Sequence, residues 1–229
     1  MPRYADHDER REELAQTVAN LILEEGLDSV SVRSVAKASG WSVGAIRYYF
    51  PRQEDLIAHA LGRTVDRAFD AITKAGMAES SSPEERVYNT MMAVAPIDAE
   101  RASYIRIWIA YMDRGLSHPG IAALMKRVWT EARFHSRRNV AILAGMPPPE
   151  EITEQFEDPF LEETAAVLHV MWDGLTIQGV MSPTTMTPEE LQRVCRRVVG
   201  TIARRLSRER RSPDRAPSSM PMNNMPSNP

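Results

Sequence analysis

Four basic residues, Arg33, Lys37, Arg47 and Arg52, fall within residues 31–53, and no acidic residue stands among them. Cationic side chains grouped without carboxylates suit a polyphosphate partner, because a duplex attracts them through its backbone charge whatever its base order. An arginine in such a group can also bond guanine through two acceptors at once. The other residues able to do chemistry are scattered. His7, His59, His118, His135 and His169 show no zinc-site spacing such as HExxH. The lone Cys195 sits on an apolar stripe with no neighbouring histidine and reads as a small core residue. No glycine-rich phosphate loop is present, and the carboxylates cluster in loops and helix starts, where solvation and the helix dipole account for them. The chain is therefore expected not to be an enzyme and to need neither metal nor cofactor.

The elements that would position the basic group are legible around it. Residues 31–50 read as two short helices meeting at a tight turn. Ser31 can cap the first, and Val32, Val35 and Ala36 give it an apolar face. Gly40 suits the left-handed position that ends a helix, and Ser42 can cap the second. In that second helix Ile46, Tyr49 and Phe50 return to one side. This pattern is that of a helix-turn-helix, whose second helix enters the major groove. A solvated helical hairpin is the plainer reading of the same residues.

Context favours the first. Residues 10–61 resemble the DNA-binding domain of the tetracycline-repressor (TetR) family of bacterial transcription regulators, through EEGLDSVSV, VRSVAKASGWS, GAIRYYF and then EDLI at the next helix start. The resemblance implies that Ser42, Val43, Gly44, Ala45, Arg47 and Tyr48 face the major groove. Arg47 is then the main base-reading candidate, with Val43 and Ala45 packing on thymine methyls. Ser31, Arg33, Ser34, Tyr48 and Tyr49 are expected at phosphates, although Tyr49 could equally be core. Three positions depart from the family pattern. Arg47 stands where an aromatic residue is frequent, Trp41 where a smaller aliphatic is usual, and Gln53 where a phosphate-binding lysine is usual. Arg52 next door is the expected substitute.

The rest of the chain is all-α, with about nine helices by apolar periodicity. Beyond 31–50 they are expected at residues 8–25, 52–74, 84–94, 100–114, 121–144, 159–181 and 188–206. Helix 100–114 has apolar residues all round and is expected to be largely buried. The expected division is residues 1–51 as DNA-binding head, 52–75 as connecting helix, 76–207 as ligand-binding and dimerisation body, and 208–229 as a disordered tail rich in Pro, Ser, Asn and Met. The formal net charge is −3, so a nucleic-acid surface must be local. One cysteine allows no intrachain disulfide and fits a reducing cytoplasm. The first residues lack an apolar signal core, and no segment is long enough to cross a membrane.

Family members pair their last two helices with those of a twin subunit. Here Leu168, Trp172, Leu175 and Gly179, with Leu191, Val194, Val198 and Ile202, are the expected dimer stripes, unless they pack only within the chain. Met91, Tyr104, Trp108, Tyr111, Met112, Trp129 and Trp172 could line a pocket for a small apolar or cationic effector, or be plain core. His169 and Gln178 could orient such a ligand, face solvent or meet the twin. The resemblance implies a ligand-responsive repressor that binds a palindromic operator in double-stranded DNA as a homodimer and leaves it when the effector binds. A helical adaptor for other proteins is the competing class, and it would leave the acid-free segment without a purpose.

Overall fold

The computed structural model describes residues 3–78, 82–115 and 119–210, and every regular element among them is a helix. Helix α1 (Arg3–Glu25) stops at Gly26, whose φ of 85° is open to glycine at no steric cost. A 3-10 turn (Leu27–Ser29) leads into α2 (Val32–Ser39), and α3 (Val43–Tyr49) follows across Gly40, which takes the left-handed conformation at φ 76°. The long α4 (Gln53–Met77) is capped at its start by Arg52, so Pro51 lies in the bend before the helix rather than in its first turn.

The body comprises α5 (Pro83–Met92), α6 (Ala99–Gly115), α7 (Pro119–Ala144), α8 (Pro159–Met181) and α9 (Pro188–Arg210). Pro83 and Pro159 each stand in a first helical turn, where a missing N–H is harmless. Ser82 and Asp158 cap those two helices by accepting from Glu85 N and Phe160 N. Boundaries differ from expectation mainly at the ends: α1 starts five residues earlier and α9 continues to Arg210 rather than ending at Leu206. The run RLSRER has strong helix formers and no Gly or Pro to stop it. The part of the expected tail beyond Arg210 lies outside the described residues, as do residues 79–81 of the expected body.

Two apolar clusters hold the molecule. The first gathers Leu14, Val18, Val35, Ile46, Phe50, Leu56 and Leu61 from α1–α4, and it also takes in Ile107, Tyr111 and Ile121 from α6 and α7. The second joins Val87, Met91, Val140, Leu168, Leu191, Cys195 and Leu206 from α5, α7, α8 and α9. Helix α4 contributes to the first cluster with its first half and packs along α5 and α7 with its second. Helix α6 is less enclosed than expected: Ile107 and Tyr111 are buried, but Tyr104, Ile105, Trp108 and Ile109 are only half-buried. It lies at the side of the body between α1 and α4 on one hand and α7 and α8 on the other, so its apolar ring is covered in part.

Candidate nucleic-acid interface and enclosed cavity

The start of α2 is a closed hydrogen-bond box. Ser34 N donates to Ser31 Oγ at 3.0 Å, and Ser31 N donates to Ser34 Oγ at 2.8 Å. Ser34 Oγ in turn donates to the Ser29 carbonyl at 2.8 Å. These two half-buried hydroxyls, expected at phosphates, are engaged at the helix start, because orphan N–H groups there need acceptors. Ser42 caps α3 by accepting from Ala45 N at 3.1 Å and stays exposed.

Helix α3 turns Ile46 and its flanking Phe50 into the core and presents Ser42, Gly44, Arg47 and Tyr48 outward. Tyr48 is 75% exposed, high for a tyrosine, with the edge-on rings of Tyr49 at 5.2 Å and His7 at 6.4 Å beside it. Val43 and Ala45 are half-buried at the flanks of that outer face. Arg33, Lys37 and Arg47 are all exposed, and none makes an ion pair or hydrogen bond among the described residues. Arg52 is exposed too, its guanidinium forked onto Asp55 at 3.0 and 3.1 Å. Tyr49 follows the core alternative: it is half-buried, 5.6 Å from the Trp41 ring and 4.7 Å from His7.

Two supports of this head were not legible in advance. Trp41 donates from its indole N–H to Glu13 Oε1 at 3.1 Å, with the Arg10 guanidinium 5.5 Å from its ring, so the turn is tied to α1. Gln53 donates to the Val30 carbonyl at 2.8 Å and fastens the start of α4 to the segment before α2. The partners lie 28 and 23 residues away, and nothing local to either residue points to them. The odd residue types at 41 and 53 were the available signal.

In the body, α4, α5, α6, α7 and α8 line a cavity of about 140 Å³. Met91, Tyr104, Trp108 and Trp172 line it, as expected. Tyr111 does not: it is fully buried in the first cluster, its hydroxyl 3.5 Å from the Ile57 carbonyl of α4. Met112 and Trp129 also lie outside, in an open groove along α7, because the outer side of α6 and α7 turns away from α4. Phe69, His135 and Asp173 line the cavity and were not foreseen there. Burial holds the His135 imidazole down at about 4, and Arg138 adds to the effect. Burial pushes the Asp173 carboxyl up to about 6, against the pull of Arg133. The sequence did carry one sign of Asp173: it is the only charged residue from 164 to 181, in an otherwise apolar helix. His169 is buried beside it, while Gln178 is exposed. Cys195 is buried 3.7 Å from Met91 Sδ, and burial raises its thiol to about 12, which makes it an inert packing group.

The expected dimer stripes require a correction of face. Leu168, Leu175, Leu191, Val198 and Ile202 are buried within one chain, Val194 packs on the second cluster, and Trp172 faces the cavity. Gly179 permits a close approach, but to its own chain: a Cβ there would lie 2.7 Å from Pro96 and 2.9 Å from Leu191. An apolar stripe on a helix first serves its own core, and that is what happens here. The apolar side of α8 left exposed is one residue round, at Val167, Val170, Met171 and Met181.

Comparison with known proteins agrees with this architecture. Residues 16–60 match the family model for the bacterial regulatory proteins of the tetR family, and residues 83–204 that for the C-terminal part of BetI-type transcriptional repressors. The HTH-type transcriptional regulator PksA of Bacillus subtilis is 27% identical over 91% of this chain and 97% of its own. BetI 1 of Chromohalobacter salexigens is 22% identical over 80% and 85%. Among solved structures, a transcriptional regulator from Rhodococcus sp. Rha1 superimposes with a TM-score of 0.71 at 26% identity, covering 85% of this chain and 96% of that one. A Saccharomonospora viridis regulator solved in complex with choline does so at 0.69 and 20% identity, covering 84% and 96%, which shows the shared fold.

Proposed function

This chain belongs to the TetR family of bacterial transcriptional regulators, with a BetI-type C-terminal domain, and on that premise we propose that it represses transcription as a homodimer released from its operator by a small molecule held in the cavity. As a DNA-binding regulator it does its work by binding, not by turnover. Residues 1–51 serve as the reading head, 52–75 as the connecting helix and 76–207 as the effector and dimerisation body, all in the cytoplasm where the DNA lies.

In this reading Arg47 reads a base edge, Tyr48, Ser42 and Gly44 approach the groove beside it, and Val43 and Ala45 meet thymine methyls. Arg33, Lys37 and Arg52 neutralise phosphates. Ser31, Ser34, Trp41 and Gln53 act on DNA through the shape of the head. The subunits meet across the exposed side of α8 at Val167, Val170, Met171 and Met181, an apolar strip of the kind that marks a contact surface. A two-fold dimer then reads a palindrome with half-sites about one helical turn, or a multiple of it, apart.

What supports an effector mechanism is α4. Leu56, Ile57 and Leu61 of this helix sit in the core under the reading helices, and Val65, Phe69 and Ile72 of the same helix line the cavity. Filling the cavity displaces the far half of one rigid rod, and the near half carries the head with it. For useful release the effector must prefer the non-binding arrangement by a few kcal/mol. The choline complex of the Saccharomonospora neighbour is in keeping with a small apolar or cationic effector here. The test is to select bound fragments from a genomic DNA pool with the purified protein. A shared palindrome is the expected result, and no preference over random competitor removes the proposal.

A further inference from the structure

The open groove along α7 is a second concavity, of about 890 Å³, and it shares no lining residue with the cavity. Helix α7 stands between the two. Val128, Ala132, His135 and Ser136 line the cavity, while Met125, Lys126, Trp129, Thr130 and Arg133 line the groove. Met112 of α6 and the segment 152–155 ahead of α8 complete it.

The groove's lining holds three cations, Lys126, Arg133 and Arg137, and no carboxylate. In a chain of net charge −3 that is a local reversal of sign. Arg137 is already engaged: it is buried and forked onto Glu162 at 2.8 and 2.9 Å. Lys126 is exposed and Arg133 half-buried, and neither side chain makes an ion pair or a hydrogen bond among the described residues. For Arg133 this is exceptional. The other half-buried arginines all have partners: Arg11 meets His59, Arg63 meets Glu12, Arg86 the Gly76 carbonyl, Arg101 meets Asp98 and Arg138 the Pro149 carbonyl. The charge of Arg133 acts on Glu162, His169 and Asp173 of α8, but it pairs with none of them. A half-buried guanidinium without a partner is costly, and an anion set against it removes that cost.

The rest of the groove is apolar. Trp129 and Ile152 are 39% and 37% exposed, and Met112 and Met125 line the groove with them. The Trp129 ring is held from behind by Trp108 at 6.1 Å and His169 at 5.6 Å. Lys126 comes three residues before Trp129 and Arg133 four after, so two cations and an indole share one face of α7 over about 10 Å.

We propose that this groove binds an amphiphilic carboxylate of medium chain length, its head on Arg133 and Lys126 and its apolar body on Trp129, Met125, Met112 and Ile152. A planar guanidinium takes a carboxylate through two parallel bonds. An organic cation is repelled by the lining, and a neutral amphiphile leaves Arg133 without a partner. The groove is thus a second small-molecule site, and it does not rest on the reading of the cavity as the effector site.

The test titrates the full chain by calorimetry at pH 7.5 with octanoate, with octanamide as its uncharged counterpart and with octylammonium. Octanoate should bind at least about tenfold more tightly than either. Lys126→Gln combined with Arg133→Gln should abolish that preference, and Arg133→Lys should keep part of it. Thermal melting checks that these variants fold. Location is read with 8-bromooctanoate, whose bromine quenches a tryptophan on contact. Quenching should persist in Trp172→Phe and be mostly lost in Trp129→Phe. Equal binding of octanoate and octanamide, a preference that survives the double substitution, or quenching unchanged in Trp129→Phe overturns the proposal. So does an absence of octanoate binding up to millimolar concentration. A double substitution that turns dimer into monomer in light scattering, with octanoate binding unchanged, assigns the groove to a second copy of the chain and overturns it too. Operator selection by the wild-type chain is measured without these ligands, so the repressor reading stands or falls separately.

Discussion

Arg47 is outward-facing because Ile46 and Phe50 on either side of it are drawn into the core, and the same arithmetic leaves Tyr48 beside it in the open. A guanidinium so placed is free to fork onto a guanine edge. Arg47→Ala should lose about 1–3 kcal/mol of operator binding and relax specificity at one base position, as read by fluorescence anisotropy over single-base operator variants. Equal weakening on every sequence would make Arg47 a phosphate contact instead. Ser31 acts differently. Its side chain closes the α2 capping box, so Ser31→Ala should cost about 1 kcal/mol of stability in a denaturant melt. Salt dependence of DNA binding should stay unchanged, since no phosphate contact is lost. Residue spacing made the Ser31 cap legible, while Arg47 was singled out by the family resemblance. It could not show that Ser34 completes the box, because Ser34 Oγ is also held by the Ser29 carbonyl across the preceding turn.

Helix α8 shows how an element can be read correctly in extent and wrongly in facing. Its ends are marked by Pro159 and by the Ser182–Pro183 stop, since proline and capping signals are local. Its apolar residues nearly encircle it, and periodicity therefore offers two apolar sides without saying which meets the body. Packing against α7 and α9 took Leu168 and Leu175, leaving Val167, Val170, Met171 and Met181 exposed. Val170→Glu, at a position 67% exposed, should leave the monomer fold intact and shift the protein to monomer in light scattering at micromolar concentration. Leu168→Glu, inside the body, should instead abolish folding. Gly179→Ala tests the same helix from the other side: with Pro96 at 2.7 Å from the new Cβ, a loss of about 1–3 kcal/mol in thermal stability is expected.

For the whole molecule, the first cluster matters most, because it makes the head and the body parts of one packed unit through Tyr111, Ile107 and Ile121. That continuity lets a change at the cavity reach the reading helices. The same burial sets the response to acid. His135 and His169 are held near 4, below the unfolded value of about 6.5, so the unfolded chain binds more protons between those limits and stability falls as pH drops. His59, lowered by burial and by Arg11 and Arg63, acts in the same direction. Asp173 opposes them: its folded value of about 6 lies above the unfolded one, and its contribution improves as pH falls toward 4. The histidines outnumber it. Urea melts from pH 7 to 4.5 should show a net loss of a few kcal/mol, and His135→Gln should flatten part of the slope.

Helix extents, the reading turn and the family were written locally, in caps, glycines and apolar spacing, which act within a few residues and survive in a linear reading. Facing, enclosure and isolation were not. Whether Tyr49 packs or reaches out, which side of α8 stays bare, and that Asp173 ends in a cavity walled by aromatic rings of α4 and α6 all depend on contacts between helices distant in the chain. Those contacts are decided by which apolar surfaces cover one another on collapse, and only the tertiary structure records that outcome.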